Sequence, residues 1–166
     1  MSIASSKTSQ KGVLVAFWLP LVLALGILGI DWISKYWIQT HLPLHWQIPV
    51  FSWGGVNFLI TYATNKGAAW GMLSQYQTYL FAFRIALVTG LIIYTLFYNN
   101  NPAWRWPFVL IIAGAVGNII DFIAYGHVID MLQFFFWGYA YPVFNIADSS
   151  IFIGVAWLFL LSWKKR

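Results

Sequence analysis

The side chains that could perform acid–base chemistry in this chain are few. The 166 residues include no cysteine and no glutamate, so cysteine nucleophiles and thiolate metal sites are excluded. Any reaction that needs a side-chain carboxylate must use one of four aspartates: Asp31, Asp121, Asp130 and Asp148. Two carboxyl groups held together in a water-poor site share one proton, and such a pair can activate water for hydrolysis without a metal ion. Whether two of them meet depends on the segments that carry them.

The composition indicates that most of the chain lies in lipid. Hydrophobic residues make up 61% and charged residues 8% of the sequence, against roughly 45–50% and 25% in soluble domains. Four long apolar stretches predict transmembrane helices at about 13–38, 76–98, 104–124 and 146–163. The first is too long for the apolar core of a signal peptide and has no clear cleavage site, so we expect it to be retained. The prediction is one mainly α-helical integral membrane domain over residues 1–166.

The positive charges predict the orientation of these helices. One side of a four-helix arrangement would carry Lys7, Lys11, Arg105, Lys164, Lys165 and Arg166. The other side would carry only Lys35, Lys66 and Arg84. By the positive-inside rule, both termini should face the cytoplasm. This distribution accounts for the net charge of +5, and no basic soluble surface remains that would favour a nucleic-acid partner.

Two outer segments connect the helices on the other side of the membrane. Segment 39–75 contains short β-branched and aromatic runs at 45–51 and 56–64, which predict a few strands at the membrane surface. Segment 125–145 is rich in phenylalanine, tyrosine and tryptophan, and aromatic rings favour the interface between lipid and water. The residues alone therefore indicate an aromatic loop that lies on the membrane.

The aspartates differ in their predicted surroundings. Lys35 follows Asp31 by four residues, so we interpret these two as an interfacial structural ion pair on one helix face. Asp121 and Asp148 each fall about four residues inside the outer boundary of a helix. Asp130 lies in the outer segment among apolar neighbours, where burial would raise the pKa of its carboxyl group. From the residues alone Asp148 could pair with Asp121 or with Asp130, and equal depth favours Asp121.

Other functions are compatible with the same residues. A small transport protein could use Asp121 and Asp148 as proton- or cation-coupling sites, although no paired repeat is evident. A structural membrane subunit could use its aspartates only as caps and ion pairs. Serine–histidine hydrolysis is disfavoured because no nucleophile-elbow pattern is present. The side chains available for it would be His41, His45, His127, Ser149 and Ser150. We predict no metal site and no cofactor.

Five blocks of the sequence resemble the lipoprotein signal peptidases (signal peptidase II), a family of bacterial intramembrane aspartic proteases. In chain order they are DWISK at 31–35, NKGAAWG at 65–71, GNIID at 117–121, GHVID at 126–130 and FNIADS at 144–149. The resemblance covers nearly the whole chain. It implies four transmembrane helices with a small extracytoplasmic β cradle.

The resemblance also implies a catalytic pair, Asp130 and Asp148, with Asp121 in support. Asn118 and Asn145 would orient this pair or the substrate backbone. The residues implied for a segment that closes over the site are Asn65, Gly67 and Ala68. The chain departs from the family pattern at Phe122, where arginine is common, so the role of that guanidinium would be vacant or would pass to Lys35, Lys66 or Arg84.

The implied substrate is a diacylglyceryl-modified prolipoprotein, cut just before its lipidated cysteine. The implied location is the bacterial cytoplasmic (inner) membrane, with the active site toward the periplasm. We expect a monomer whose other partner is membrane lipid.

Overall fold

Four helices form the bulk of the protein. The computed structural model describes residues 4–66 and 74–164, with side chains at 18–66 and 75–164. The helices are α1 (Ala4–His41), α2 (Gln77–Ile93, continued by a π-helical turn at Tyr94–Tyr98), α3 (Arg105–Tyr125) and α4 (Ile146–Trp163). Each contains a stretch long and apolar enough to cross a membrane. The predicted membrane fold, mainly α-helical with four spans and a small sheet, is confirmed.

The helix ends follow the predicted ones with local differences. Helix α1 begins at Ala4 rather than at residue 13 and ends at His41 rather than at residue 38. The predicted ends of the other three helices lie within one residue of the observed ones, if the π-helical turn is counted with α2. That residues 1–166 make a single domain stays a prediction.

Helix α3 is the centre of the bundle and packs against the other three helices. It carries buried residues along its length, whereas α2 has no fully buried residue and presents large apolar side chains outward. Such exposure is favourable when the surroundings are lipid. Helices α3 and α4 approach closely at glycines, because a Cβ atom on Gly154 would lie 2.7 Å from Ile111 Cγ1 and 2.8 Å from the Pro107 carbonyl oxygen.

A four-stranded antiparallel sheet joins the two outer segments. Its strands are β1 (Gln47–Trp53), β2 (Val56–Asn65), β3 (Val128–Phe136) and β4 (Tyr139–Ala140), in the order β1-β2-β3-β4. Both hairpins turn through two residues with positive φ, Gly54-Gly55 and Trp137-Gly138, which is the geometry of a tight type I′ hairpin. The predicted strands at 45–51 and 56–64 correspond to β1 and β2.

Segment 125–145 is not the surface loop that its residues alone indicated. Most of it forms β3 and β4, and β3 pairs along β2 from Val128 to Phe136. The first four residues of β3 are all buried, so both faces of the strand are covered there, and three of the four side chains are apolar. The sequence of a strand buried on both faces is a nearly continuous apolar run. It lacks the alternation of apolar and polar residues that indicates a strand with one face in water.

Candidate active site

A cavity of about 780 Å³ lies among α2, α3 and α4, beneath the ends of β2 and β3. Its polar end contains Asp130 from β3 and Asp148 from α4. Its remaining wall follows α2 from Phe83 to Tyr94 and is mostly apolar. The full lining consists of Asn65, Phe83, Arg84, Ala86, Leu87, Val88, Gly90, Leu91, Tyr94, Ile111, Ala115, Asn118, Val128, Asp130, Asp148 and Ile151.

Asn145 ties the two aspartates to the start of α4. Its side-chain oxygen accepts the backbone N–H of Asp148 at 2.8 Å, and the Asp148 carboxylate accepts the backbone N–H of Asn145 at 3.3 Å. This reciprocal pair is a capping box, which stabilises the first turn of the helix. With its oxygen used by the cap, Asn145 directs Nδ2 toward Asp130 and donates to Oδ1 at 2.8 Å. One buried asparagine therefore orients both carboxyl groups.

Asn118, on α3, is the second amide of the site. Its Nδ2 donates to Asp148 Oδ1 at 2.8 Å. Its Oδ1 accepts from Lys35 Nζ at 3.1 Å and from Asn145 Nδ2 at 3.1 Å. Asn118 is thus the link between the cavity and a charged cluster behind it.

The charged cluster is centred on Lys35. Its ammonium group lies 2.6 Å from Asp31 Oδ2 and 2.8 Å from Asp121 Oδ2. Asp31 also accepts the backbone N–H of Ala147 at 2.8 Å, and Asp121 accepts that of Ile129 at 3.2 Å. The cluster therefore connects α1, α3, α4 and β3.

The expected Asp31–Lys35 pair is present, and it is buried inside the protein. Each residue is only 2% exposed. A buried ion pair needs further hydrogen bonds to offset the loss of water, and here Asp121, Asn118 and the start of α4 supply them. The i,i+4 spacing predicted the contact but carried no information on these distant partners.

The structure brings Asp148 together with Asp130 in the cavity, not with Asp121. Asp121 is directed toward Lys35 of α1 and is buried there. Equal depth in the membrane indicated the wrong partner because the depth of a residue does not specify which side of a helix it occupies. Asp130 reaches the cavity through β3, the strand that the residues alone did not predict.

The two carboxyl groups of the cavity influence each other electrostatically. Burial raises the pKa of Asp130 from 3.8 to about 8, and the negative charge of Asp148 contributes to the increase. Hydrogen bonds from Asn65 and Asn145 and the charge of Lys35 act in the opposite direction. At neutral pH Asp130 therefore retains a proton, as expected of one member of a proton-sharing pair.

The structure places the other sequence-predicted residues as follows. Asn65, at the end of β2, lines the cavity and hydrogen-bonds to Asp130. Gly67 and Ala68 lie outside the described residues. In the two described stretches, 4–66 and 74–164, no group of three histidine, cysteine, aspartate or glutamate side chains is arranged to hold a metal ion.

Phe122, which stands where the family commonly has arginine, makes an aromatic contact. Its ring stacks on Phe81 of α2, with centroids 4.6 Å apart. Of the three basic residues that could take over a guanidinium role, Arg84 lines the cavity, Lys35 lies in the buried cluster and Lys66 is exposed.

The contact between Lys35 and Asn118 was not predicted from the sequence. Because an ammonium group has three N–H donors, the sequence could have indicated that Lys35 contacts further acceptors besides Asp31.

Known proteins resemble this chain in sequence and in structure. Residues 23–164 match the family model described as signal peptidase (SPase) II. The lipoprotein signal peptidase of Chlamydia pneumoniae is 36% identical over 141 residues, covering 81% of this chain and 83% of that protein. The lipoprotein signal peptidase of Psychromonas ingrahamii is 39% identical over 140 residues, covering 81% and 78%. A bacterial membrane enzyme solved at 1.9 Å superimposes with a TM-score of 0.79 at 31% identity, covering 90% of this chain and 96% of the other.

Proposed function

The chain belongs to the signal peptidase II family of aspartic-type membrane proteases, and on this premise we propose that Asp130 and Asp148 are its catalytic pair. The family cleaves signal peptides from lipoproteins, so the expected protease activity and the membership of this family are confirmed. The observation that carries the assignment of the pair is that Asp130 and Asp148 line one cavity and share Asn145 as a hydrogen-bond partner.

The proposed reaction is general acid–base hydrolysis. One carboxylate accepts a proton from water, whose oxygen attacks the scissile carbonyl carbon, while the protonated carboxyl group donates to the carbonyl oxygen. The first group then delivers its proton to the leaving amine as the carbon–nitrogen bond breaks. Both carboxyl groups need fixed orientations for this exchange, and the amides of Asn118 and Asn145 provide them.

The proposed substrate is a diacylglyceryl-modified prolipoprotein that is cut before its lipidated cysteine. Two features support this choice. The cavity wall along α2 is mostly apolar over the turns from Phe83 to Tyr94, with Arg84 as the charged exception, while the pair occupies its polar end. Burial of acyl chains contributes up to about 0.8 kcal/mol per CH₂ group, so a lipid-linked peptide could be held with its scissile bond at the carboxyl groups.

The proposed supporting roles go to residues around the pair. Asp121 holds Lys35 and the backbone of Ile129, so it supports the strand that carries Asp130. Asn65 belongs to a segment that we propose closes over the bound substrate together with Gly67 and Ala68. The Asp31–Lys35 ion pair joins α1 to this framework.

We propose that the protein works as a monomer in the bacterial inner membrane. Both termini would face the cytoplasm and the cavity would open toward the periplasm, in agreement with the distribution of positive charge. All the residues of the proposed site come from one chain, so the chemistry does not require a second copy.

The direct test is cleavage by purified protein in lipid. A diacylglycerylated precursor and the same precursor without lipid are incubated separately, and mass spectrometry identifies the products. We expect cleavage of the lipidated precursor only, between the cysteine and the residue before it. Equal cleavage of both precursors would contradict the substrate assignment, and a different cut site would contradict the proposed position of the scissile bond. The Asp130→Asn variant serves as the inactive control.

A further inference from the structure

Lys35 is a buried charged residue that the proposed reaction does not use. Its ammonium group contacts three acceptors: Asp31 Oδ2 at 2.6 Å, Asp121 Oδ2 at 2.8 Å and Asn118 Oδ1 at 3.1 Å. An ammonium group has three N–H donors and no acceptor, so these contacts use its full capacity. Two of the acceptors are carboxyl oxygens. The third, Asn118, is a neutral side chain that also contacts the proposed catalytic pair.

The contact with Lys35 fixes the orientation of the Asn118 amide. Because Lys35 can only donate, the oxygen of Asn118 must face it, and the NH₂ group must face the other way. There Nδ2 donates to Asp148 Oδ1 at 2.8 Å. Asn145 Nδ2, a second donor, meets the same Asn118 oxygen at 3.1 Å. A flipped amide would put its NH₂ group against two donors and its oxygen against the Asp148 carboxylate, so it is strongly disfavoured.

The two carboxyl groups therefore have unequal surroundings. Asp148 accepts from Asn118 and from the backbone N–H of Asn145, and it lies in the first turn of α4, where the helix dipole favours a negative charge. Asp130 lies on β3 between the buried Ile129 and Met131 and is 3% exposed. Its Oδ1 accepts from Asn145 Nδ2, and Asn65 also hydrogen-bonds to this carboxyl group. Both bonds favour the ionised form, but a neutral carboxyl group can still make them, and burial outweighs them.

We propose that Lys35 is a positioning residue that acts through Asn118 to keep Asp148 ionised as the base, which leaves Asp130 as the proton-bearing acid. This inference rests on the proposed function of the pair in peptide cleavage. It gives Lys35 a role beyond the ion pair with Asp31, and it assigns different starting roles to the two aspartates.

The assignment defines each proton transfer. Water attacks the carbonyl carbon, its proton goes to Asp148, and the proton of Asp130 goes to the carbonyl oxygen. When the carbon–nitrogen bond breaks, Asp148 returns its proton to the amine nitrogen. One hydroxyl of the tetrahedral intermediate returns a proton to Asp130 as the new carboxyl group forms. The pair ends in its starting state, and no other reactant is consumed.

The pH response of the pair also depends on its charged neighbours. Lys35 and Asp31 of α1 and Asp121 of α3 form the cluster behind Asn118. Arg84 of α2 lines the cavity itself. Of these groups, Lys35 is the one joined to Asp148 through a single amide, so its removal should change the pH profile.

The first test measures the pH dependence of kcat and KM with a lipidated precursor. In Lys35→Gln and in Asn118→Ala, we expect the low-pH limb of the kcat profile to shift to higher pH by about one unit. On that limb kcat would then be about tenfold lower than in the wild type at the same pH. The double variant should move no further than either single variant, and Lys35→Arg should retain the wild-type limb. The control is Ser150→Ala, whose hydroxyl donates to the Leu110 carbonyl oxygen at 2.9 Å, away from the pair.

The outcomes separate positioning from a purely structural role. An unmoved limb in folded, active Lys35→Gln would overturn the proposal, as would a double variant whose shift equals the sum of the two. If Lys35→Gln does not fold, the double variant Lys35→Gln/Asp121→Asn takes its place, because it removes one positive and one negative charge from the cluster together. Its limb is compared with that of Asp121→Asn alone: a further shift supports the proposal, and an identical limb overturns it.

The second test locates the shared proton by infrared spectroscopy at pH 6, without substrate. The chain has four aspartates and no glutamate, so few side chains can contribute to the protonated-carboxyl band. We expect Asp148→Asn to retain the band of the site and Asp130→Asn to lose it; the reverse would overturn the assignment. Failure of the wild-type protein to cleave any precursor would instead count against the proposed function, and the infrared result would be unaffected by it.

Discussion

At the scale of single residues, Asn145 performs two tasks with the two ends of its amide. The oxygen caps α4 and the nitrogen donates to Asp130. Serine is also a good N-cap residue, but its side chain is too short to reproduce the amide donor toward Asp130. The two tasks can therefore be separated by substitution.

We predict that Asn145→Ala loses both stability and activity, whereas Asn145→Ser loses mainly activity. Loss of the cap should lower the free energy of unfolding by about 1–2 kcal/mol in the alanine variant. Thermal unfolding in lipid and the rate of precursor cleavage measure the two effects. Full activity in Asn145→Ser would show that the donor to Asp130 is dispensable. Ser149→Ala, which removes only a hydroxyl donor to the Asn145 carbonyl, is the control.

The raised pKa of Asp130 predicts a loss of activity in alkaline solution. Because its pKa is about 8, the proton that the pair needs should dissociate as the pH rises through that value. Cleavage rates measured from pH 5 to 10 should decline above about pH 8. A rate that stays constant to pH 10 would contradict a protonated Asp130.

The same pKa predicts a pH-dependent stability. The folded protein binds a proton at Asp130 that the unfolded chain releases near pH 3.8. The stabilisation by this proton is complete below the unfolded pKa and declines as the pH rises to the folded pKa of about 8. Asp130→Asn should therefore flatten the fall in unfolding free energy between about pH 4 and pH 8. An unchanged slope, measured by denaturant unfolding in micelles, would contradict this prediction.

At the scale of the secondary-structure elements, the position of Asp148 depends on close packing between α3 and α4. Gly114 and Gly154 lie at this contact, and a Cβ atom at either would overlap the other helix. In lipid, where apolar side chains gain little by association, small residues allow helices to approach and gain van der Waals contact. The contact between Phe81 and Phe122 similarly attaches α2 to α3.

We predict that Gly154→Ala destabilises the protein by about 1–3 kcal/mol, because the added methyl group overpacks the contact with Ile111 and Pro107. Gly29→Ala is the matched control in α1, since a Cβ atom there would meet nothing within 4 Å. Thermal unfolding of both variants in the same lipid provides the comparison. Equal stability of Gly154→Ala and Gly29→Ala would mean that the two helices can separate freely.

Much of the helical architecture could be predicted from the sequence, but the strand that carries Asp130 could not. Apolar length alone indicates a transmembrane helix, so the four helices were recognisable. The residues of β3 gave no alternating pattern because both faces of its first half are buried. The i,i+4 spacing likewise predicted the contact of Asp31 with Lys35, while the contacts of Lys35 with Asp121 and Asn118 depend on how α1 and α3 pack.

At the scale of the whole molecule, the membrane orientation determines which compartment supplies the substrate. The chain has no cysteine, so single cysteines can be introduced and labelled without background. A cysteine at Ser52 in β1 should react with a membrane-impermeant reagent in intact cells, whereas one at Asn100, between α2 and α3, should react only after lysis. The opposite pattern would invert the proposed topology and place the cavity on the cytoplasmic side.

The central claim is that Asp130 and Asp148 together perform the cleavage. The measurement that tests it most directly is the rate of cleavage of a lipidated precursor by purified Asp130→Asn, Asp148→Asn and the double variant, each confirmed as folded by thermal unfolding. We predict that each single variant loses activity by a factor on the order of 10²–10⁴, and that the double variant is no worse than the singles, because the two groups act as a unit. Either single variant cleaving at a rate near that of the wild type would contradict the claim.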